Sequence, residues 1–599
     1  MNARDNMHRT GSCTEGGFAK ASARFGVVTA QGGWRKVTWG VVAGVAAVAT
    51  AGSLMVPSAA IAAEWVNVGG TPYNAGTAAG DDAGTWAWDG ADDMKLNGYN
   101  GGAIKAEGKL NVAYEGKNTV KTEPDYAGAA IKAQDGTSQK AELNITSSNS
   151  TDELNVTAEA DAIKSAGDLS ISGPGTVNTT STASDGIEAK GDLSITGSGT
   201  VNATGGTEGI QSKGKTTIDS SGTVIAKGGE GYGIAAGSDL IIKGGGKVEA
   251  SSIGEAAIWA KDGNIDISGG SQVKANSEGD LAVDTEGSLA VTNASLDASG
   301  VEYGVYAYKG VTLDHATVTV RTSASGGQAI ALITDGDDIV IKNGSIVDAF
   351  AEGEFSAAIS TRNHQPNIAG GHIYISDSVV KAIARYVENG DGPIPYSENQ
   401  DGETRREPQG ENIGIIAQTS EGVTPAVISI IRSKVTAEGD TAAIFARAMS
   451  ADGKTIGTIK IENAAIQTPE SGKIIDYRKL RDGIYEAGQA IGTGDATVDS
   501  LYIKAVAKST TIAPPEVAKP EDPKPDETKP AESKPAESKQ NPKPEGSKPT
   551  KAVAASTTKA KTTGVLAATG DTSGAAIVAT VLAGTAAIAA GTMASRKRS

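Results

Sequence analysis

A repeat of 24 residues is the feature that most constrains the fold of this chain of 599 residues. Residues 161–180 and 185–204 are nearly identical, and both contain Gly-Asp-Leu-Ser-Ile followed shortly by Gly-x-Gly-Thr-Val-Asn. Similarity at a fixed period of this length is typical of solenoids, in which successive turns of chain stack on one another.

Apolar residues recur through the repeat in three parallel series. The first is Ile163, Ile187, Ile210, Ile234, Ile258, Leu281 and Val305. The second is Ile171, Ile195, Ile218, Ile242, Ile267 and Val291. The third is Val177, Val201, Val224, Val248, Val273, Leu296 and Val318. The steps are 22 to 25 residues long, so each apolar position is expected to lie above its equivalent in the previous turn.

Each series lies in short alternating stretches such as Leu193-Ser-Ile195, the pattern of a strand with one buried face. Clusters of Gly, Asp, Ser and Asn separate these stretches and are typical of turns. Three strands per repeat predict an all-β, right-handed parallel β-helix with three-strand rungs over residues 101–512. A helical solenoid would need a 3.6-residue period and few glycines, whereas this chain has 78.

The flanks of the repeat differ in composition. Residues 63–100 hold several tryptophans, and we expect them to cap the solenoid, because its open ladder edge is prone to association. The polar stretch 387–412 is expected to project as a loop. Residues 513–565 are rich in Pro, Lys and Glu, with ten of the chain's 20 prolines, and predict a disordered, extended stalk.

Charge and cysteine content restrict the chemistry. The net charge of -17 argues against nucleic acid as a partner, which calls for a basic face. The single cysteine, Cys13, lies near the N-terminus and outside the repeat, so no disulfide or thiol chemistry is expected of the folded part. No motif in the sequence indicates a cofactor.

One set of acidic and basic residues was weighed as a catalytic site, because paired carboxylates can cleave glycosidic bonds and grouped carboxylates can bind calcium. The set comprises Asp335, Asp337, Asp338, Arg362, His364 and His372. The segment 335–338 falls where a rung needs a turn, and Asp-Gly is ordinary turn chemistry. We therefore predict neither a catalytic nor a metal site there, nor at 81–82 and 92–93.

Three tryptophans are candidate ligand contacts. Trp86 and Trp88 are two residues apart and would share one side of a strand, and Trp259 follows a core isoleucine and is expected to face outward. Exposed aromatic rings can stack on sugar rings. For Trp86 and Trp88, burial within the cap is the interpretation that we favour over ligand contact. His315, with no second histidine near it, is interpreted as a surface residue.

Both ends carry targeting patterns. Arg35 and Lys36 precede the apolar run 37–56, and Ala60-Ile61-Ala62 offers an A-x-A cleavage site, so residues 1–62 are predicted to be a signal peptide. Residues 575–594 are uncharged and about as long as a bilayer-spanning helix requires. The basic tail 595–599 is expected to stay cytoplasmic.

The pentapeptide Leu566-Ala567-Ala568-Thr569-Gly570 stands just before that apolar segment. The order of pentapeptide, spanning segment and basic tail resembles the cell-wall sorting signal of Gram-positive surface proteins. Ala567 stands where the commoner motif has Pro, as in a variant read by one sortase class of actinobacteria. The resemblance implies that a sortase cleaves between Thr569 and Gly570 and joins Thr569 to an amine of the peptidoglycan. An ordinary membrane anchor is the alternative.

The repeat itself resembles the β-helices of pectate-lyase-like proteins, and the whole chain resembles wall-anchored repeat proteins. The resemblance implies a secreted, cell-wall-anchored adhesin that binds glycans or proteins of host or neighbouring cells, rather than an enzyme. Two alternatives stay open: a polysaccharide lyase or hydrolase, and a passive wall-coat or pilin-like subunit. Fold alone does not decide between them.

Overall fold

The computed structural model describes residues 63–515, except 125, 137–139, 326, 364–369, 388–395, 399–403, 407–410, 482, 495–496 and 502. The described residues form strands and turns and no helix, which confirms the all-β prediction. A helix long and apolar enough to span a membrane is therefore not found among them. The predicted signal peptide, most of the stalk, the sorting motif and segment 575–594 lie outside the described residues.

The described part of the chain contains twelve successive rungs of three strands each. In chain order these are Ile104–Glu107, Lys109–Glu115 and Lys117–Lys121; Ile131–Gln134, Glu142–Ser147 and Glu153–Ala158; Ile163–Ser165, Asp168–Ser172 and Thr176–Ser181; Ile187–Ala189, Leu193–Gly197 and Thr200–Thr204; Ile210–Ser212, Thr216–Ser220 and Thr223–Gly228; Ile234–Ala236, Leu240–Lys243 and Lys247–Ser252; Ile258–Ala260, Ile265–Ser268 and Gln272–Ser277; Leu281–Thr285, Ser288–Thr292 and Ser295–Gly300; Tyr303–Ala307, Gly310–Asp314 and Thr317–Ser323; Gln328–Thr334, Ile339–Lys342 and Ile346–Gly353; Phe355–Asn363, Ile373–Ser376 and Val379–Tyr386; and Asn412–Thr419, Val427–Ile431 and Lys434–Gly439. We number these rungs 1 to 12.

The first, second and third strands of the rungs form three long sheets, named here sheet 1, sheet 2 and sheet 3. Each strand pairs in parallel with the equivalent strand of the next rung, as Ile163–Ser165 does with Ile187–Ala189. Three parallel sheets built from one repeating turn of chain make the fold β-helix-like. The short hairpin Tyr396–Glu398 and Thr404–Arg406 lies between rungs 11 and 12, in the stretch predicted to be a loop.

The register confirms the second and third apolar series completely, for instance in the pairs Ile195 with Ile218 and Val224 with Val248. The first series is confirmed except in rung 8, where the prediction that Leu281 occupies the core position was wrong. Val283 pairs there with Ile258 and is fully buried, whereas Leu281 is only partly buried. The strand of rung 8 begins earlier than its predecessor, so its first apolar residue lies before the core position.

Aliphatic residues stacked on like residues fill the interior between the sheets. Ile187, Ile210 and Ile234 are 0% exposed and follow one another in sheet 1. Hydrogen-bonded amides stack in the same way on the outer face of sheet 3, where Asn178 Nδ2 donates to Asn155 Oδ1 at 2.9 Å. Like-on-like stacking therefore operates on both faces of the sheets.

The corner between sheets 2 and 3 needs left-handed backbone. Gly197 has φ of 100°, and a Cβ on it would lie 2.6 Å from the carbonyl oxygen of Gly173 in the rung below. Only glycine fits such a close approach. In later rungs Asn293, His315 and Asn343 hold positive φ at the corresponding corner. His315, interpreted as a surface residue in a strand-like stretch, is therefore a corner residue.

Further strands, some of them antiparallel, extend the sheets at both ends of the described solenoid. At the N-terminal end these strands and short flanking strands are Trp65–Val68, Thr71–Asn74, Ala79–Gly80, Trp86–Trp88, Asp93–Asn97 and Asn100–Gly101. At the C-terminal end, rung 12 is followed by Ala442–Ser450, Thr458–Glu462, Ala465–Thr468, Lys473–Arg481, Ile484–Gly492 and Ser509–Ala513. Trp65–Val68 pairs antiparallel with rung 1, and Ser509–Ala513 pairs antiparallel with rung 12. Antiparallel strands thus cover both edges of sheet 1, the N-terminal edge of sheet 2 and the C-terminal edge of sheet 3. Asn100–Gly101 and Thr458–Glu462 instead continue the parallel ladders of sheets 3 and 2.

The stacked core gives a stability prediction. Replacing Ile210, fully buried, by Ala should destabilise the fold by about 2 to 5 kcal/mol, because a cavity opens between three rungs. Replacing Ile225, partly exposed on the outer face of sheet 3, by Ala should cost about 0.5 kcal/mol or less. Urea unfolding of the two variants measures both values, and equal losses would contradict the assigned register.

Candidate functional site

The tryptophans predicted to contact a ligand lie in two different environments. Trp86 and Trp88 are 7% and 1% exposed, in the N-terminal strand that pairs with Asp93–Asn97. Their rings are therefore not available for stacking on a sugar, and the surface-contact prediction for these two residues is corrected. The strand directs both side chains inward, onto the open end of the core.

Trp259 lies on the outer face of sheet 1, as expected. Its ring stacks on that of Tyr232, with centroids 4.5 Å apart and planes inclined by 11°. In register it lies between Ala235 of rung 6 and Asp284 of rung 8, and Tyr306 follows in rung 9. Trp259 thus belongs to a row of outward-facing residues that continues toward the C-terminal end of the sheet.

The acidic and basic residues considered as a catalytic site do not form a single group in the structure. Asp338 Oδ1 accepts a hydrogen bond from the backbone N of His372 at 2.9 Å, and His372 Nδ1 accepts one from the backbone N of Val427 at 3.1 Å. Burial raises the pKa of Asp338. Asp337 Oδ1 accepts from the backbone N of Asp338, which is ordinary turn bonding. His364 lies outside the described residues.

Asp335 instead faces sheet 1. Its Oδ1 lies 3.9 Å from Arg362 Nε, and its Oδ2 accepts a hydrogen bond from Tyr306 Oη at 3.2 Å. Asp335 Oδ1 and Arg362 Nε are both buried, and neither has a hydrogen-bond partner among the described residues. The rung spacing therefore brings together a carboxylate and a guanidinium that are 27 residues apart in sequence.

A groove opens beside Arg362 and has a volume of about 650 Å³. Its floor is the outer face of sheet 1 in rungs 10 to 12, and its far wall includes residues of Lys473–Arg481 and Leu501. We call it the sheet 1 groove. This volume lies within the range of small-molecule binding sites, about 300 to 1,000 Å³.

A single row of residues crosses the groove, because five strands are in register there. Arg362 lies next to Gln418, Gln418 next to Arg447, and Tyr477 follows beyond a glycine of Ile484–Gly492. These side chains share one parity of their strands and face outward. The row thus sets two cations, an amide and a phenol in a line across the sheet.

Arg447 is the charged centre of this row. Its Nη1 donates to both carboxylate oxygens of Glu411, at 2.9 and 3.0 Å, and its Nε donates to Gln418 Oε1 at 3.0 Å. Glu486 lies 4.0 Å away. Glu411 and Glu486 together hold the pKa of Arg447 above its usual range against the opposing effect of burial. The guanidinium is therefore fixed and electrically compensated.

The C-terminal part of the chain covers the same face of sheet 1. Val498, Leu501 and Val506 pack on outward-facing apolar residues of rungs 10 to 12, and these form a cluster separate from the main core. Phe445 meets Tyr477 edge-on, with ring centroids 5.1 Å apart. The C-terminal segment covers the apolar surface. The polar row and the exposed ring of Phe355 lie at the margin of this cover, where the groove is open.

Sequence reasoning missed the groove, although one signal indicates it. Sheet 1 strands become longer and lose alternation in the late rungs, as in Gln328–Thr334 and Asn412–Thr419, which contain the uninterrupted runs Ala-Ile-Ala-Leu-Ile and Ile-Gly-Ile-Ile-Ala. A strand without alternation is typical of burial on both faces. The pattern therefore indicates a second layer over the outer face.

Two acidic groups could hold a cation by their geometry. Asp161, Asp185 and Glu188 lie together at the start of sheet 1, and Asp89, Asp92 and Asp93 lie near the N-terminal end. Lys164 Nζ lies 2.7 Å from Asp161 and also contacts Glu188, so the buried group already has its cation. Asp89 Oδ1 accepts from two backbone N–H groups, an ordinary turn arrangement.

Comparison of the chain with protein families, with curated proteins and with solved structures found no match.

Two carboxyls give a pH prediction. Burial, with a further contribution from Glu286, raises the pKa of Asp284 to about 7, and burial together with Glu208 raises that of Asp185 to about 7. In the unfolded chain both titrate near 3.9. The folded state thus holds more protons between about pH 4 and 7, and these groups lower the stability as the pH rises through that window.

We expect Asp284→Asn and Asp185→Asn to raise the melting temperature at pH 8 more than at pH 5, because the amide cannot ionise in its buried site. Thermal unfolding of the wild type and both variants at the two pH values measures this. Asp262→Asn, at an exposed turn, is the control and should change neither value. A larger gain at pH 5 would contradict the assignment.

Proposed function

We propose that this protein is a secreted, sortase-anchored cell-wall protein that displays a right-handed parallel β-helix as an adhesin. The observation that carries the anchoring is the order of pentapeptide 566–570, apolar segment 575–594 and basic tail at one end of the chain. The signal-peptide pattern at 1–62 supports export. Parallel strands joined within one sheet are almost always connected right-handedly, which supports the sense of the coil.

In this proposal the apolar segment pauses in the membrane while a sortase acts outside it. The enzyme cleaves the bond between Thr569 and Gly570, and the Thr569 carboxyl becomes joined to an amine of peptidoglycan. The segment 513–565 would span up to roughly 120 Å over its most proline-rich part if extended at ~3.1 Å per residue. A spacer of that reach suits a solenoid held beyond a thick wall.

The adhesin part of the proposal rests on the shape of the solenoid. Each sheet presents a row of stacked outward side chains, and many equivalent molecules on one wall would bind a surface multivalently. The acidic charge of the chain keeps neighbouring copies apart. The ligands we propose are glycans or proteins on host or neighbouring cells. The stacked structure does not by itself distinguish binding from display as a passive coat.

Anchoring has a direct genetic test. In the Gram-positive host, Thr569→Ala should move the protein from the wall fraction to the membrane and medium, because the scissile Thr-Gly bond is lost. Thr572→Ala, three residues further on and outside the pentapeptide, is the matched control and should remain in the wall. Fractionation followed by immunoblotting measures the distribution. Wall attachment of the Thr569 variant at unchanged size would contradict the proposal.

Binding and turnover are separated by one pair of assays on the full chain. We expect retention on an array of glycans and cell-surface proteins, and no new reducing ends or unsaturated products from pectin, alginate or glycosaminoglycans. Turnover that Asp338→Ala abolishes would overturn the binding-only view and favour a polysaccharide-cleaving enzyme. Absence of binding to any array member or to intact cells would favour a passive coat.

A further inference from the structure

We propose that the sheet 1 groove is the binding site, and that its ligand is a neutral oligosaccharide. This inference rests on the proposed adhesin function and deepens it by naming the place and the ligand chemistry. The groove combines a concave shape, an exposed aromatic ring, and hydroxyl and amide groups at one margin of sheet 1. These are the elements with which proteins bury a small polar ligand.

The aromatic element is Phe355, which is 44% exposed and lies at the start of the sheet 1 strand of rung 11. Gln328 is its neighbour in register on rung 10, so an apolar ring and an amide stand side by side. A sugar ring has an apolar C–H face and a polar rim of hydroxyls. Phe355 offers area to the face, and the Gln328 side-chain NH2 offers a donor to the rim, whereas its Oε1 already accepts a hydrogen bond from Tyr303 Oη at 3.0 Å.

Unpaired polar atoms in and beside the groove favour a ligand rich in hydroxyls. Arg362 Nε and Asp335 Oδ1 form an ion pair at 3.9 Å, but neither atom makes a hydrogen bond among the described residues. A hydroxyl donates and accepts at once, so it can serve both members of such a pair. An unpaired buried polar group is costly until it is satisfied.

The charge balance of the groove favours a neutral ligand over an anionic one. Arg447 is compensated by Glu411 and Glu486, and Arg362 lies beside Asp335. Lys479 stands opposite Glu486 in register. No cluster of uncompensated cations is therefore presented by the described groove residues. The chain as a whole carries a net charge of -17, which repels polyanions such as polyuronates.

Isothermal titration calorimetry of the full chain with manno-, malto-, cello- and chito-tetraose tests the inference. We expect at least one of these to bind, and Phe355→Ala to weaken that binding about ten-fold through loss of ring contact. Arg362→Lys keeps the charge beside Asp335 but removes the Nε donor, and should also weaken binding. Circular dichroism and the melting temperature of each variant establish that it is folded.

The matched control is Tyr374→Ala, which removes another exposed aromatic ring in the same rung, 37% exposed and on sheet 2. Its affinity should equal that of the wild type. If a neutral tetraose binds both groove variants as tightly as the wild type, or if Tyr374→Ala abolishes its binding, the groove assignment is overturned. The adhesin proposal would still stand. If the protein instead binds an acidic polysaccharide or a protein, and this binding requires Phe355, the proposal of a neutral oligosaccharide ligand is overturned. Failure to bind any glycan, protein or cell would overturn both proposals.

Discussion

The structure depends on the stacking of aliphatic side chains from one rung onto equivalent side chains of the next. A single rung of about 24 residues cannot bury its own apolar residues, so each contributes stability only through its neighbours. Ile187, Ile210 and Ile234 show the consequence, because each is fully buried and stacks on isoleucine in the neighbouring rung. Because the strands are parallel and in register, outward-facing residues are aligned as strictly as the core.

This alignment allows residues from separate short strands to form one site. Residues 27 or more positions apart become lateral neighbours on sheet 1, as Asp335 and Arg362 do. The long sheet 1 strands of rungs 10 to 12 extend the rows past the core, and the returning strand Lys473–Arg481 adds a wall. The groove thus arises where the regular repeat ends, because there the chain folds back over its own outer face.

The repeat, its three apolar series and the strand character of the chain were predictable, since each depends on local alternation and a fixed period. Leu281 was misassigned because an earlier strand start changes the core position without changing the period. The groove was not predictable. It depends on the antiparallel pairing of Ile484–Gly492 with Ala442–Ser450 and with Lys473–Arg481, and a local pattern does not specify a strand's partner or direction. Loss of alternation in Asn412–Thr419 was its one local sign.

We propose that the solenoid binds its ligand on one face, the sheet 1 groove. Hydroxyl-radical footprinting of the full chain, with and without a saturating neutral tetrasaccharide, tests this at single residues by mass spectrometry. Phe355 and Met449 both line the groove, whereas Tyr374 lies on sheet 2. We expect slower oxidation of Phe355 and Met449 with the sugar, and an unchanged rate at Tyr374. Protection of Tyr374 with no change at Phe355 and Met449 would contradict it.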